Sequence, residues 1–198
     1  MGIGRSGGQA RVGCCRLPQT QRFRARILLA TNQRSRTLDL HMSAPYEEII
    51  EGESYVRQTP GHRHELIRER LQLRLAECLA AQATARLLAP RSVLQLTSGT
   101  MVRPDLTIVA TANDRLLLAI EVIDAGDHHT DTVNKKEIYE TRNVPRLWLV
   151  DPRYDNVEVY HGSPYGLRLQ GILAGADRLE EPLLPAFAYI IRDLFADR

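Results

Sequence analysis

Residues 103–123 read RPDLTIVATANDRLLLAIEVI, and this stretch sets the fold class. PDLTIVA (104–110) opens on proline, which suits the first residue of a strand. LLLAIEVI (116–123) is an almost unbroken apolar run, the pattern of a central strand covered on both faces. Two such strands in succession imply a sheet that runs through the middle of the protein. They also frame the oddest residue of the chain. Glu121 has five apolar residues before it and Val122 and Ile123 after it. A carboxylate buried there costs several kcal/mol unless it meets a cation or takes up a proton. The plainer alternative is that the strand turns to solvent at this end. Asp105 likewise reads either as an ordinary turn acid entering a strand or as a partner that adjacent strands bring beside Glu121. In the second case the two carboxylates, with a backbone carbonyl such as that of Val122, form a hard-oxygen site suited to Mg²⁺ or Mn²⁺.

Working outward, YEEII and ESYVR flank Gly52 and predict a β-hairpin. HRHELIRERLQLRLAECLAAQ (62–82) places Leu66, Ile67, Leu71, Leu75, Cys78 and Leu79 at three- and four-residue spacings, the apolar stripe of a long helix. Arg68, Glu69, Arg70, Gln72 and Arg74 cover much of its remaining surface. SVLQLT (92–97), RLWLVD (146–151), NVEVYH (156–161) and GLRLQ (166–170) read as strands. Residues 132–142 read as a second helix with Asp131 as a plausible N-cap, and AYIIRDLF (188–195) as a short closing helix. The fold class is α/β or α+β, a mixed central sheet flanked by helices.

Of 26 basic residues only Lys135 and Lys136 are lysine. Arginine is always charged, whereas a desolvated lysine can lose its proton and take part in chemistry. Helical phase separates the two. With Lys135 at 0°, Ile138 falls at about 300° and Tyr139 at about 40°, at 100° per residue. Lys135 therefore lies in the apolar stripe and points toward the sheet that carries Glu121. Lys136 falls outside it, near Glu140, as a surface residue. A cation against an apolar face is costly, so removing Lys135 is expected to leave metal binding largely intact and could even raise stability.

Other polar groups carry weaker signals. The loop DAGDHHTD (124–131) holds acids and histidines, but without the spacing of a helix-borne metal motif. His62 and His64 read as solvated, and Glu48 in the hairpin as exposed. The cysteines show neither a disulfide framework nor zinc-ligand spacing, which fits a reducing, cytoplasmic setting. No apolar run approaches a membrane span. The net charge of +2 conceals two regions. Residues 1–41 hold eight Arg and one acid, or +7, leaving 2 − 7 = −5 for residues 42–198. The first 41 residues read as a disordered basic extension, with Met42 as a candidate true start, and residues 42–198 as one domain. The acidic body carries no global electrostatic signature for nucleic acid.

Asp105 in RPDLTIVA, Glu121 in LAIEVI, Lys135 with Tyr139 four residues on, then NVPRLWLVDP and VEVYH together resemble the Uma-type group of bacterial putative restriction endonucleases, within the PD-(D/E)XK nuclease superfamily. EIIEGE…TPGHRH resembles that group's opening hairpin and helix. The resemblance spans about residues 46–195. It implies a restriction-endonuclease-like core, with a divalent metal, Mg²⁺ or Mn²⁺, held by Asp105 and Glu121. The superfamily's third position, two residues past the Glu, is Ile123 here; the Uma-type lysine on the following helix corresponds to Lys135. Glu48 matches a hairpin glutamate that is a candidate extra metal ligand or base. His64 matches a histidine at the head of the first helix, and Tyr139 is a further candidate. DAGDHHTD replaces the group's usual Ser/Pro-rich link. The expected activity is metal-dependent phosphodiester hydrolysis of nucleic acid, DNA first, with Lys135 positioning water or stabilising charge on the phosphate. Two rivals stand beside it. One is a nuclease-fold binding or assembly module without turnover. The other is a glycosidase carboxylate pair, which leaves Lys135 unexplained. The oligomeric state, a homodimer included, is left open.

Overall fold

The computed structural model describes residues 45–124 and 133–196, together with the backbone of a two-residue strand, Arg26–Ile27 (β1). Two of the residues read as a disordered extension thus pair, antiparallel, with Gln95 and Leu94; the rest of 1–41 lies outside the described residues. Tyr46–Ile50 (β2) and Glu53–Arg57 (β3) form the expected hairpin. Its two-residue turn needs positive φ at both positions, and Glu51 (53°) and Gly52 (88°) supply it.

The long helix α1, His62–Leu79, buries Ile67, Leu71, Leu75, Cys78 and Leu79. Its arginines depart from the expected solvated face. Arg68 is buried, Arg70 donates to the carbonyl of Leu194 (2.7 Å) and Arg74 to that of Ala188 (3.3 Å). Arg70 and Arg74 thereby tie the helix to the C-terminal segment, while Arg68 pairs within the helix with Glu65, Glu69 and Gln72. Ala85–Leu87 (β4), Leu94–Thr97 (β5) and Thr100–Val102 (β6) precede the two deciding strands, Leu106–Ala110 (β7) and Leu116–Val122 (β8). After α2, Lys135–Thr141, come Arg146–Asp151 (β9), Asn156–Ser163 (β10) and Gly166–Ala174 (β11). Arg178–Glu181 (β12), Leu184–Ile190 (β13) and Ile191–Phe195 (α3) close the described chain. Residues 188–190 therefore end a strand, and only the last part of AYIIRDLF is helical. Asn134, not Asp131, stands at the N-terminal boundary of α2; Asp131 and most of DAGDHHTD lie outside the described residues.

The central sheet has the order β11-β10-β9-β8-β7-β4. Only β8 and β9 run parallel, and every other pair is antiparallel, so the sheet is mixed. One face packs Ile108, Leu118, Ile120, Val122, Trp148 and Val150 against α1, α3 and Phe187. The other packs Val109, Leu116, Ala119, Ile123, Leu147 and Leu149 against Tyr139 of α2 and Leu94 and Val102 of the second sheet, β1-β5-β6-β2-β3. Ile108 pairs with Leu118 but Val109 with Leu116. Leu117 is the extra residue of a β-bulge, which puts Leu116 and Ala119 on one face despite their odd spacing. Beyond the bulge strict alternation resumes, and Glu121 shares the α2 face with Ala119 and Ile123. Among the described residues no helix is long and apolar enough to cross a membrane.

Candidate active site

Glu121 is 2% exposed, so the reading in which its strand end turns to solvent does not hold. Its Oε1 accepts a hydrogen bond from the Tyr139 hydroxyl (2.6 Å), and its Oε2 one from Lys135 Nζ (3.1 Å). Lys135 and Tyr139 are four residues apart on α2 and so lie on one face. Lys135 is 1% exposed, and its ammonium also reaches Glu48 Oε1 at 3.0 Å. Lys136 stands apart from this cluster. Its Nζ lies 4.5 Å from the Tyr160 ring centroid, so it is half-buried over an aromatic face rather than solvated. Lys136→Ala is expected to cost about 0.5–1 kcal/mol in a denaturant melt, the size of an exposed cation–π contact, with turnover unchanged.

Glu48 is buried, contrary to its reading as an exposed hairpin acid. Within β2 it alternates with Tyr46 and Ile50 on the inward face. The Arg103 N–H donates to its Oε1 (2.6 Å) and Arg57 Nε stands 3.0 Å from its Oε2. Arg57 itself inverts the apolar pattern: it is 4% exposed while its neighbour Val56 is 64% exposed.

Asp105 lies just before β7, and its Oδ2 accepts the Val122 N–H of the neighbouring strand (2.9 Å). His64, also buried and not solvated as read, brings its Nε2 to 3.2 Å from the same oxygen. Arg91 Nη2 lies 3.1 Å from Oδ1, yet among the described residues that oxygen accepts no hydrogen bond. Arg91 also pairs closely with Glu65, whose other oxygen is held by Arg68 Nε at 2.9 Å. Burial opposes charge on His64, but the Asp105 carboxylate, helped by Glu65, outweighs it and pushes the imidazole up to about 10. Burial likewise opposes charge on Asp105, and His64, Arg91 and the Val122 N–H overcome it and hold the carboxyl down at about 2. Glu65 is held at about 2 against its own burial by His64, Arg91 and Arg68.

These shifts make a stability statement with a definite sign. His64 is raised from 6.5 to about 10, so its contribution is complete below pH 6.5 and is lost as pH rises through about 10. Asp105 and Glu65 are depressed, so theirs is lost as pH falls through about 2. Melting temperatures measured from pH 6 to pH 10 should fall in the wild type more steeply than in His64→Gln. Parallel profiles would remove His64 from the ion network.

Asp105, Glu121, Lys135 and Val122 line one narrow cleft with Tyr46, Arg57, Gln58, Pro60, His64 and Asp124. It offers about 20 Å³, space for about one water. Among the described residues no three His, Cys, Asp or Glu side chains converge ready-made on a cation. Asp105 and Glu121 each face a cation of the protein itself. The donor chemistry nonetheless fits a small hard ion: Asp105 Oδ1 is a buried carboxylate oxygen with no hydrogen bond among the described residues, and Glu121 opens on the same cleft. Arg57, Glu65, Arg91 and Tyr46 were not singled out in the sequence. Only Glu65 and Arg68, three apart on α1, carry a local signal of pairing.

A family model described as Uma2, putative restriction endonuclease, matches residues 35–192. Among solved structures, a putative nuclease belonging to DUF820 from Anabaena variabilis superposes with a TM-score of 0.65 at 17% identity, over 79% of this chain and 93% of its own. At that identity the likeness speaks for the fold, a nuclease fold. No curated protein matches the chain.

Proposed function

The chain belongs to the Uma2 family of putative restriction endonucleases, and on that premise we propose that it hydrolyses phosphodiester bonds of nucleic acid, DNA first, with Mg²⁺ or Mn²⁺. One observation carries the reading. The head of β7, the end of β8 and the first turn of α2 place Asp105, Glu121 and Lys135 in one buried cleft, and the hairpin adds Glu48. Asp105 and Glu121 would hold the ion. When bound, it supplies Lewis-acid polarisation of a phosphoryl oxygen and a more acidic water.

The remaining groups orient and neutralise. The Val122 N–H and His64 fix Asp105 through Oδ2 and leave Oδ1 toward Arg91 and the cleft. Tyr139 fixes Glu121 through Oε1. Lys135 is held between Glu48 and Glu121, which places a positive charge where a phosphate would gather negative charge. Glu48 Oε1 accepts the Arg103 N–H and faces the Lys135 ammonium, so we assign Glu48 to holding Lys135; its Oε2, 3.0 Å from Arg57 Nε but with no hydrogen bond among the described residues, is the oxygen that would turn to a metal, as Asp105 Oδ1 would.

The charge balance of the cleft favours one second reading, a nuclease-fold binding module without turnover. The assay that separates them uses purified protein with plasmid and single-stranded substrates, in Mg²⁺, in Mn²⁺ and in chelator. Cleavage that appears with either ion and stops with chelator is the expected result. Folded protein that binds but never cuts at millimolar ion would leave the binding module.

A further inference from the structure

Arg91 is placed with unusual care for a residue outside the regular elements. It sits between β4 and β5 with φ at +54°, a conformation that costs a non-glycine residue about 1 kcal/mol or more. Its N–H donates to the Asp105 carbonyl (3.3 Å), so its backbone is anchored to the residue its side chain serves. The guanidinium lies over the Tyr46 ring at 5.7 Å and bridges Asp105 Oδ1 and Glu65 Oε1.

The two ends of that bridge differ. Asp105 Oδ2 is committed to the Val122 N–H and to His64, so Oδ1 is the oxygen left for a ligand. That is the oxygen Arg91 faces, at 3.1 Å but without hydrogen-bond alignment. On the Glu65 side the contact is hydrogen-bonded, and Glu65 is braced by Arg68. Aligned charge-assisted bonds are much the stronger kind. Losing the Asp105 contact therefore leaves Arg91 with its better partner.

We infer that Arg91 is a positioning residue that acts as the resident counter-ion of Asp105 Oδ1 and yields that oxygen to the incoming divalent cation, falling back on Glu65. The inference rests on the reading of Asp105 as a metal ligand. It predicts effects of opposite sign from two charge-removing substitutions in one network. Arg91→Gln removes the competitor, so Mn²⁺ should bind about tenfold more tightly, within the usual range of coupling between two ligands. Metal-free protein should at the same time melt lower, so the rise on adding Mn²⁺ becomes larger. Glu65→Gln removes the fallback, so Arg91 clings to Asp105 and Mn²⁺ should bind about tenfold more weakly. Arg91→Lys keeps the charge without the fork and should lie between Arg91→Gln and the wild type.

The measurement is Mn²⁺ affinity by calorimetry or electron paramagnetic resonance on the full chain, with melting in chelator to show that each variant is folded. Tighter binding in Arg91→Gln together with weaker binding in Glu65→Gln supports the proposal, as does binding that appears only in Arg91→Gln; the reverse pair of changes overturns it. Weakening in both, or no change in either, while the wild type binds Mn²⁺ overturns the proposal and leaves the metal reading standing. No binding in the wild type, Arg91→Gln or Arg91→Lys overturns both.

Discussion

Asp105→Asn is expected to abolish cleavage, by about 10³-fold or more, the upper range for loss of one electrostatic group. It should also abolish any rise in melting temperature on adding Mn²⁺. The asparagine is nearly isosteric, and its amide oxygen can still accept the Val122 N–H. It cannot offer the charged Oδ1. The metal-free site is not a pair of carboxylates repelling each other, since Asp105 is balanced by His64 and Arg91. The substitution therefore leaves cations without their counter-charge, and metal-free stability should fall by about 3 kcal/mol, as when one partner of a buried pair is removed. Glu65, which still faces both cations, limits the loss. Mn²⁺-dependent cleavage retained in folded Asp105→Asn would sink the assignment.

Lys135→Ala should cut turnover by about 10²-fold. It should destabilise as well, against the expectation drawn from its apolar stripe. The stripe is real, but the ammonium ends between Glu48 and Glu121 rather than against hydrocarbon. Removing it strands two buried carboxylates, which costs about 3–5 kcal/mol. Arg57 and Tyr139 remain beside them, so the lower figure is expected. Lys135→Arg keeps the charge but brings a wider planar group into a slot that is 1% exposed, and should recover stability more than turnover. Equal loss of turnover in Lys135→Ala and Lys136→Ala would mean that the lysines are wrongly distinguished.

The burial of Glu121 and Lys135 was legible because each is a charge set in an apolar pattern; for Asp105 an ordinary turn acid stood as an equal reading, and only the strand pairing brings it beside Glu121. The long helix and the first hairpin were legible for similarly local reasons, periodicity in one and a glycine turn in the other. Arg57 and Arg91 were not. Their burial depends on carboxylates contributed by other parts of the chain, and in β3 the apolar pattern points the wrong way, with Val56 outside and Arg57 inside. The same holds for His64, whose partner Asp105 is distant in sequence. The short strands β4 and β6 carry three residues each, too few for a period to show. The segment 188–190 looks helical beside IRDLF, but Ala188, Tyr189 and Ile190 pair with β12, and that long-range pairing outweighs local preference.

The bulge at Leu117 separates two parts of β8 that would otherwise share one register. On the site side, Ala119 to Val122 are held by the parallel ladder to β9. On the turn side, Leu116 pairs with Val109 next to the loop of residues 111–115. A one-residue slip normally carries every side chain of a strand to the opposite face. Here a slip begun in the loop meets a residue that is already out of register and stops there. Insertions or deletions at 111–115 are thus insulated from Glu121, and that loop is a place where foreign sequence can be spliced in while the carboxylate keeps its face.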